Sequence, residues 1–124
     1  APLAFRVDDQ NRLVAFAGSW ADRVTIDGHE TVFADKSLSL VSWAPVPESR
    51  RVPGGAILQA RIQGEGVVRI PAVDLPEKVA MFAEGATPGS RGEAIPCRVE
   101  NGALVFQTTS TTTHRWLYVV PAGQ

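Results

Sequence analysis

Hydrophobic positions in this chain alternate with polar ones over short runs, and the runs are punctuated by glycine, proline, asparagine and aspartate. Alternation with a period of two is the mark of a strand with one covered face. The clearest case is CRVENGALVFQ at residues 97–107, where Asn101-Gly102 supplies the two positive-φ positions of a two-residue hairpin turn. This places Cys97, Val99, Leu104 and Phe106 toward the core and Arg98, Glu100, Val105 and Gln107 outward. Residues 3–7 and 12–17 predict another hairpin across Asp8-Asp9-Gln10-Asn11, whose short side chains bond their own backbone. Residues 22–27 and 30–34 predict a third across Asp27-Gly28, with Val24 and Ile26 against Val32.

Further strands follow. SLSLVSW at 37–43 sets Leu38 and Leu40 on one face and Val41 and Trp43 on the other, and residues 56–63 turn Leu58, Ala60 and Ile62 inward and Gln59, Arg61 and Gln63 outward. Gly64-Glu65-Gly66 leads into residues 67–70, and residues 78–82 resume as a short apolar strand. Two stretches predict loops: 45–55, with its prolines and glycines, and 84–94, EGATPGSRGEA, which holds no large apolar residue. The run TTSTTTH at 108–114 suits an exposed edge or loop. The terminal RWLYVV puts Leu117 and Val119 on one face and Trp116, Tyr118 and Val120 on the other.

Nowhere do ten residues keep a helical period, so the expected fold is all-β. About ten strands with turns at close spacing and two longer connections fit an antiparallel two-sheet β-sandwich better than a closed barrel. At 124 residues with 44% hydrophobic and 20% charged content, one domain spanning residues 1–124 is expected. A net charge of −1 offers no footprint for nucleic acid or an anionic membrane. No apolar run approaches the length of a membrane span, and the start APLAF lacks the regions of a signal peptide, as a mature or excised fragment also would.

Candidate chemistry is sparse. Cys97 is the single cysteine, so no internal disulfide forms, and His29 and His114 lack metal-ligand spacing to cysteine or to each other. No metal or cofactor is expected. No G-x-S-x-G elbow marks a nucleophile, and Asp8, Asp9, Asp27, Glu65 and Glu100 sit in turns or at solvated strand positions rather than in an apolar pocket. The aromatics are the better lead. Trp20 and Trp43 stand in or beside loops, while Trp116 and Tyr118, at i and i+2 of the last strand, make a flat platform if Leu117 faces inward and core if it faces outward.

The GSWADRVTIDG hairpin, the SWAPVP strand end and the RWLYVV strand give the chain its likeness in size, architecture and aromatic usage. It resembles the noncatalytic β-sandwich carbohydrate-binding modules and accessory β-domains of bacterial glycoside hydrolases. The resemblance implies a secreted binding domain without catalysis of its own, which holds an attached enzyme near a polysaccharide. Trp20, Trp43, Trp116 and Tyr118 are the expected stacking rings, with Arg115 and Gln107 as polar contacts. The alternative is a structural sandwich domain whose aromatics pack against a larger catalytic domain. An intact calcium-loop pattern, which many sandwich modules carry, is missing.

Overall fold

The computed structural model describes residues 3–10, 12–18, 23–26, 29–34, 38–48 and 55–122; at Leu3, 23–26 and 29–34 only the backbone is described. Among the described residues there are twelve strands and no α-helix. They are β1 (Leu3–Val7), β2 (Leu13–Gly18), β3 (Arg23–Ile26), β4 (His29–Ala34), β5 (Leu40–Pro45), β6 (Leu58–Gln63), β7 (Gly66–Pro71), β8 (Val79–Glu84), β9 (Arg91–Ile95), β10 (Cys97–Glu100), β11 (Ala103–Thr108) and β12 (Trp116–Pro121). A seven-stranded sheet runs β1-β2-β5-β6-β12-β8-β9 and a five-stranded sheet runs β10-β11-β7-β4-β3, with all pairs antiparallel.

Local chemistry explains the hairpins. At the β1–β2 turn, Asp8 Oδ1 accepts from the backbone N–H groups of Gln10 and Arg12 at 2.9 and 3.0 Å, and Asp8 Oδ2 takes the Arg12 guanidinium at 2.7 Å. The side chain thus replaces the backbone partners that a tight turn leaves out. At the β10–β11 turn Asn101 and Gly102 both adopt the left-handed region, with φ of 51° and 75°. Cys97 lies opposite Phe106 and Val99 opposite Leu104, as the alternation requires.

One hydrophobic cluster joins the two sheets. Leu13, Phe16, Val41, Trp43, Ile62, Leu117 and Val119 from the larger sheet pack with Val68, Ile70, Leu104 and Phe106 from the smaller. Burying each such side chain contributes about 1.5–3 kcal/mol relative to exposure, so this shared layer dominates the stability. Phe16 and Trp43 are register partners, and their rings stack at 5.3 Å with 21° between planes.

One expectation changes, and one gains a structural reason. Residues 84–94 are not all surface loop, because Arg91–Ile95 is β9, an edge strand held by β8 through an irregular register. Its mostly exposed, small and charged residues carry no alternation for a sequence reading to find. The threonine run is also structural. Gly64-Glu65-Gly66 carries the chain from the larger sheet to the smaller one; there the buried Thr108 Oγ1 donates to Gly64 O at 2.8 Å, and Thr113 Oγ1 accepts from Gly64 N–H at 2.9 Å. Thr112, also buried, accepts from Thr109 N–H at 2.9 Å and closes the turn before β12.

Candidate functional site

The register of the larger sheet lines up its outer face in rows. One row runs Ala4, Ala17, Ser42, Arg61, Trp116 across β1, β2, β5, β6 and β12. Beside it, Arg6 faces Ala15, Ala44 faces Gln59, and Gln59 faces Tyr118, which faces Phe82 of β8. The side chains on β2 and β5 are therefore small, and they form the floor of a shallow depression of about 310 Å³ lined by Ala4, Arg6, Ala15, Ala17, Ser42 and Ala44. With strands about 4.8 Å apart, that floor is flanked by Arg6 on one side and by Arg61, Gln59 and Trp116 on the other.

The far wall is an aromatic ridge. Trp116 is half-buried, and the Arg61 guanidinium carbon lies 5.5 Å from its ring centroid. Arg61 Nε is buried and has no hydrogen-bond partner. An unpaired buried donor costs about 1–3 kcal/mol, so this nitrogen is a group in want of an acceptor. Next to Trp116, Tyr118, Phe82, Val120 and Ala56 form a second hydrophobic cluster on the outer face, with the Tyr118 and Phe82 rings 5.5 Å apart. The Arg91 guanidinium covers Phe82 at 4.8 Å from the ring centroid. Tyr118 Oη donates to Glu84 Oε2 at 3.0 Å. Burial, aided by the hydrogen bond to Glu84 and its charge, pushes the Tyr118 phenol above its ordinary pKa.

The predicted residues therefore separate. Leu117 faces the inter-sheet core at 0% exposure, but the platform this promised is only partly present. Tyr118 is 6% exposed because the outer face of β12 carries its own hydrophobic cover, so it presents no ring face to a ligand. Trp43 is 3% exposed on the inner face against Phe16; it is core, because Val41 and Trp43, not Leu40 and Ser42, turn toward the smaller sheet. Trp20 lies outside the described residues. Arg115 adjoins the ridge, yet its guanidinium donates to the carbonyls of Thr111 and Glu84. A Cβ on Gly92 would come within 2.9 Å of that guanidinium, so glycine there makes room for it.

Gln107 is exposed on β11 of the smaller sheet, where it lines a separate groove of about 450 Å³ with Val67, Cys97, Arg98 and Val105. It cannot act together with Trp116. Burial raises the Cys97 thiol pKa, which disfavours the reactive thiolate. The residues that sequence reasoning left out of the site are Arg6, Ser42, Gln59 and Arg61. Gln59 and Arg61 were legible as outward-facing, but nothing in the sequence states that β6 pairs with β12 and so sets them beside Trp116 and Tyr118.

Comparisons of the chain with protein-family models, curated proteins and solved structures return no match.

Proposed function

We propose that the protein is a noncatalytic β-sandwich domain that binds polysaccharide on the outer face of its seven-stranded sheet and, outside the cell, keeps an attached glycoside hydrolase near its substrate. The observation that carries this reading is the half-buried Trp116, flanked by Arg61 and Gln59, at the side of a floor of alanine and serine side chains. A sugar ring offers a C–H face that covers an aromatic ring and hydroxyls that bond to planar polar groups. The small floor residues let such a ring approach the sheet closely.

The magnitudes fit weak binding. A ring losing about 100 Å² of exposure contributes on the order of 2.5 kcal/mol, and association costs at least about 4 kcal/mol, so polar contacts must supply the balance. The expected affinity is about millimolar to micromolar, a range in which a tether to an enzyme makes the binding useful. The rows described carry one carboxylate, Glu84, which accepts from Tyr118 and from the N–H of Gly89 at 3.1 Å. Glycoside hydrolysis needs two carboxyl groups facing across the substrate, so this arrangement favours binding over catalysis.

The test is affinity electrophoresis through gels holding glucans, xylans, mannans or pectins. Retardation by at least one polymer, lost in Trp116→Ala with little change in the thermal midpoint, supports the reading; no retardation by any of them sinks it. The flat alanine floor favours a second reading, a docking surface for a larger catalytic domain. That reading predicts no retardation, together with burial of Ala15 and Ala17 in the parent protein.

A further inference from the structure

We infer that the polysaccharide is an acidic one, a chain bearing uronic-acid carboxylates. This rests on the binding reading above and adds the charge of the ligand. The whole chain carries a net charge of −1, but the outer-face rows hold Arg6 and Arg61 with no acid, and beyond them on β8 and β9 Arg91 stands opposite Glu84, with the exposed Glu93 on the same edge strand. Among the described residues none of these three arginines forms an ion pair: Arg61 and Arg91 lie over aromatic rings, and Arg6 is exposed at the sheet edge. Several ionised groups elsewhere are paired instead. Asp8 is matched with Arg12 at 2.7 Å, and Glu100 with Arg98 at 3.0 Å and Arg69 at 3.3 Å.

A positive field on a sheet face of an otherwise slightly acidic protein calls for an anionic partner. The form of the anion follows from the neighbours. A guanidinium is a planar fork that suits a carboxylate, and Arg61 combines such a fork, one of whose N–H groups is buried without an acceptor, with the face of Trp116. One sugar unit carrying a carboxylate on its ring meets both demands together: the ring covers the indole and the carboxylate takes the guanidinium. Arg6 stands three strands away, about 14 Å, across the alanine floor, where another carboxylate of the same chain can reach it. A neutral glycan offers both guanidiniums only uncharged hydroxyl acceptors, and the stronger charge-assisted pairing with a carboxylate is the difference that discriminates.

The experiment is affinity electrophoresis and calorimetry with polygalacturonate, alginate and glucuronoxylan. Fully methyl-esterified polygalacturonate, neutral xylan, chondroitin sulfate and polyglutamate are run beside them. Expected is binding to at least one uronate polymer, weakened by salt, with the methyl ester much weaker. Arg61→Gln should lose about tenfold in affinity, the scale of one charge-assisted hydrogen bond, and Arg6→Gln about threefold. Arg6 is exposed and without a partner, so its variant keeps the test sound should Arg61→Gln fail to fold. Equal binding of the ester, preference for neutral xylan or for the sulfated chain, equal binding of polyglutamate, or an unchanged Arg6→Gln would each overturn the acidic-sugar assignment and leave the carbohydrate reading or its docking rival to be judged separately. Binding to none of these polymers overturns the acidic-sugar assignment, and together with no retardation by glucans or mannans it overturns the carbohydrate reading as well.

Discussion

Replacing Trp43 by alanine separates core from surface most sharply. The ring is 3% exposed, stacks on Phe16 and belongs to the cluster that joins the two sheets. A buried tryptophan removes about 150–250 Å² from water, which at about 25 cal/mol per Å² gives about 4–6 kcal/mol as an upper figure. Large-to-small core changes of this type cost about 3–5 kcal/mol, because the cavity relaxes only in part, so about 4 kcal/mol is the expected loss. For 124 residues an unfolding entropy of about 2.1 cal/mol/K per residue sums to about 0.26 kcal/mol/K, and the midpoint should fall by about 15 °C. Trp43→Phe keeps a ring on Phe16 and should fall by about 5 °C, with the urea m-value unchanged in both. Differential scanning calorimetry and urea titration followed by circular dichroism make the measurement. A drop of less than about 5 °C for Trp43→Ala would refute the reasoning, since it would mean that the ring was never covered.

Tyr118→Phe should cost about 1–2 kcal/mol by removing the hydrogen bond to Glu84, and should also change the alkaline limb. A phenol whose folded pKa is raised contributes stability that is complete below its unfolded value near 10 and is lost as pH rises through the folded value; urea midpoints between pH 8 and 11 should fall more steeply for the parent than for the variant. Parallel limbs would count against the burial of the hydroxyl. Gly102→Ala meets no atom within 4 Å, so its cost is the left-handed backbone alone, about 1 kcal/mol or about 4 °C by calorimetry, and no change would mean that the turn is not of this kind. Asp8 should titrate below the ordinary aspartate range in carboxyl-carbon NMR, because the backbone N–H of Arg12 and then its guanidinium favour the carboxylate; the stabilisation is present above the unfolded pKa and lost as pH falls through the folded one. A midpoint at or above the usual value would contradict the turn geometry.

Strand existence was legible wherever polar and apolar residues alternate. The facings of Leu104 and Phe106, of Leu58, Ala60 and Ile62, and of Val41 with Trp43 against Leu40 all follow from period-two counting. What counting could not supply is which strands are neighbours. Trp116 and Arg61 are 55 positions apart in the chain and adjacent in the sheet, and Ser42 reaches them only through β6. The burial of Tyr118 escaped for a related reason: period two assigns one face to the core and the other to water, whereas the middle of this sheet is covered on both sides. Val105 shows the same thing in the smaller sheet, since it points away from the shared core yet is 4% exposed. The candidate site was legible only as a list of aromatics, of which Trp116 stays half-buried on the outer face, because the residues around it depend on register between distant strands.

The order of the larger sheet has a kinetic consequence. β12 follows every other strand in sequence and lies between β6 and β8, where Leu117 pairs with both Ala60 and Ala83. Until β12 arrives, β1-β2-β5-β6 and β8-β9 are two separate pieces with open edges, and each exposes apolar residues intended for a shared layer. A ribosome making this chain delivers the keystone last. Completion of the sheet should therefore wait for β12 and be slow, in the millisecond-to-second range typical of nonlocal sheets, and a nascent chain halted before residue 116 should be captured by holdase chaperones instead of resisting protease.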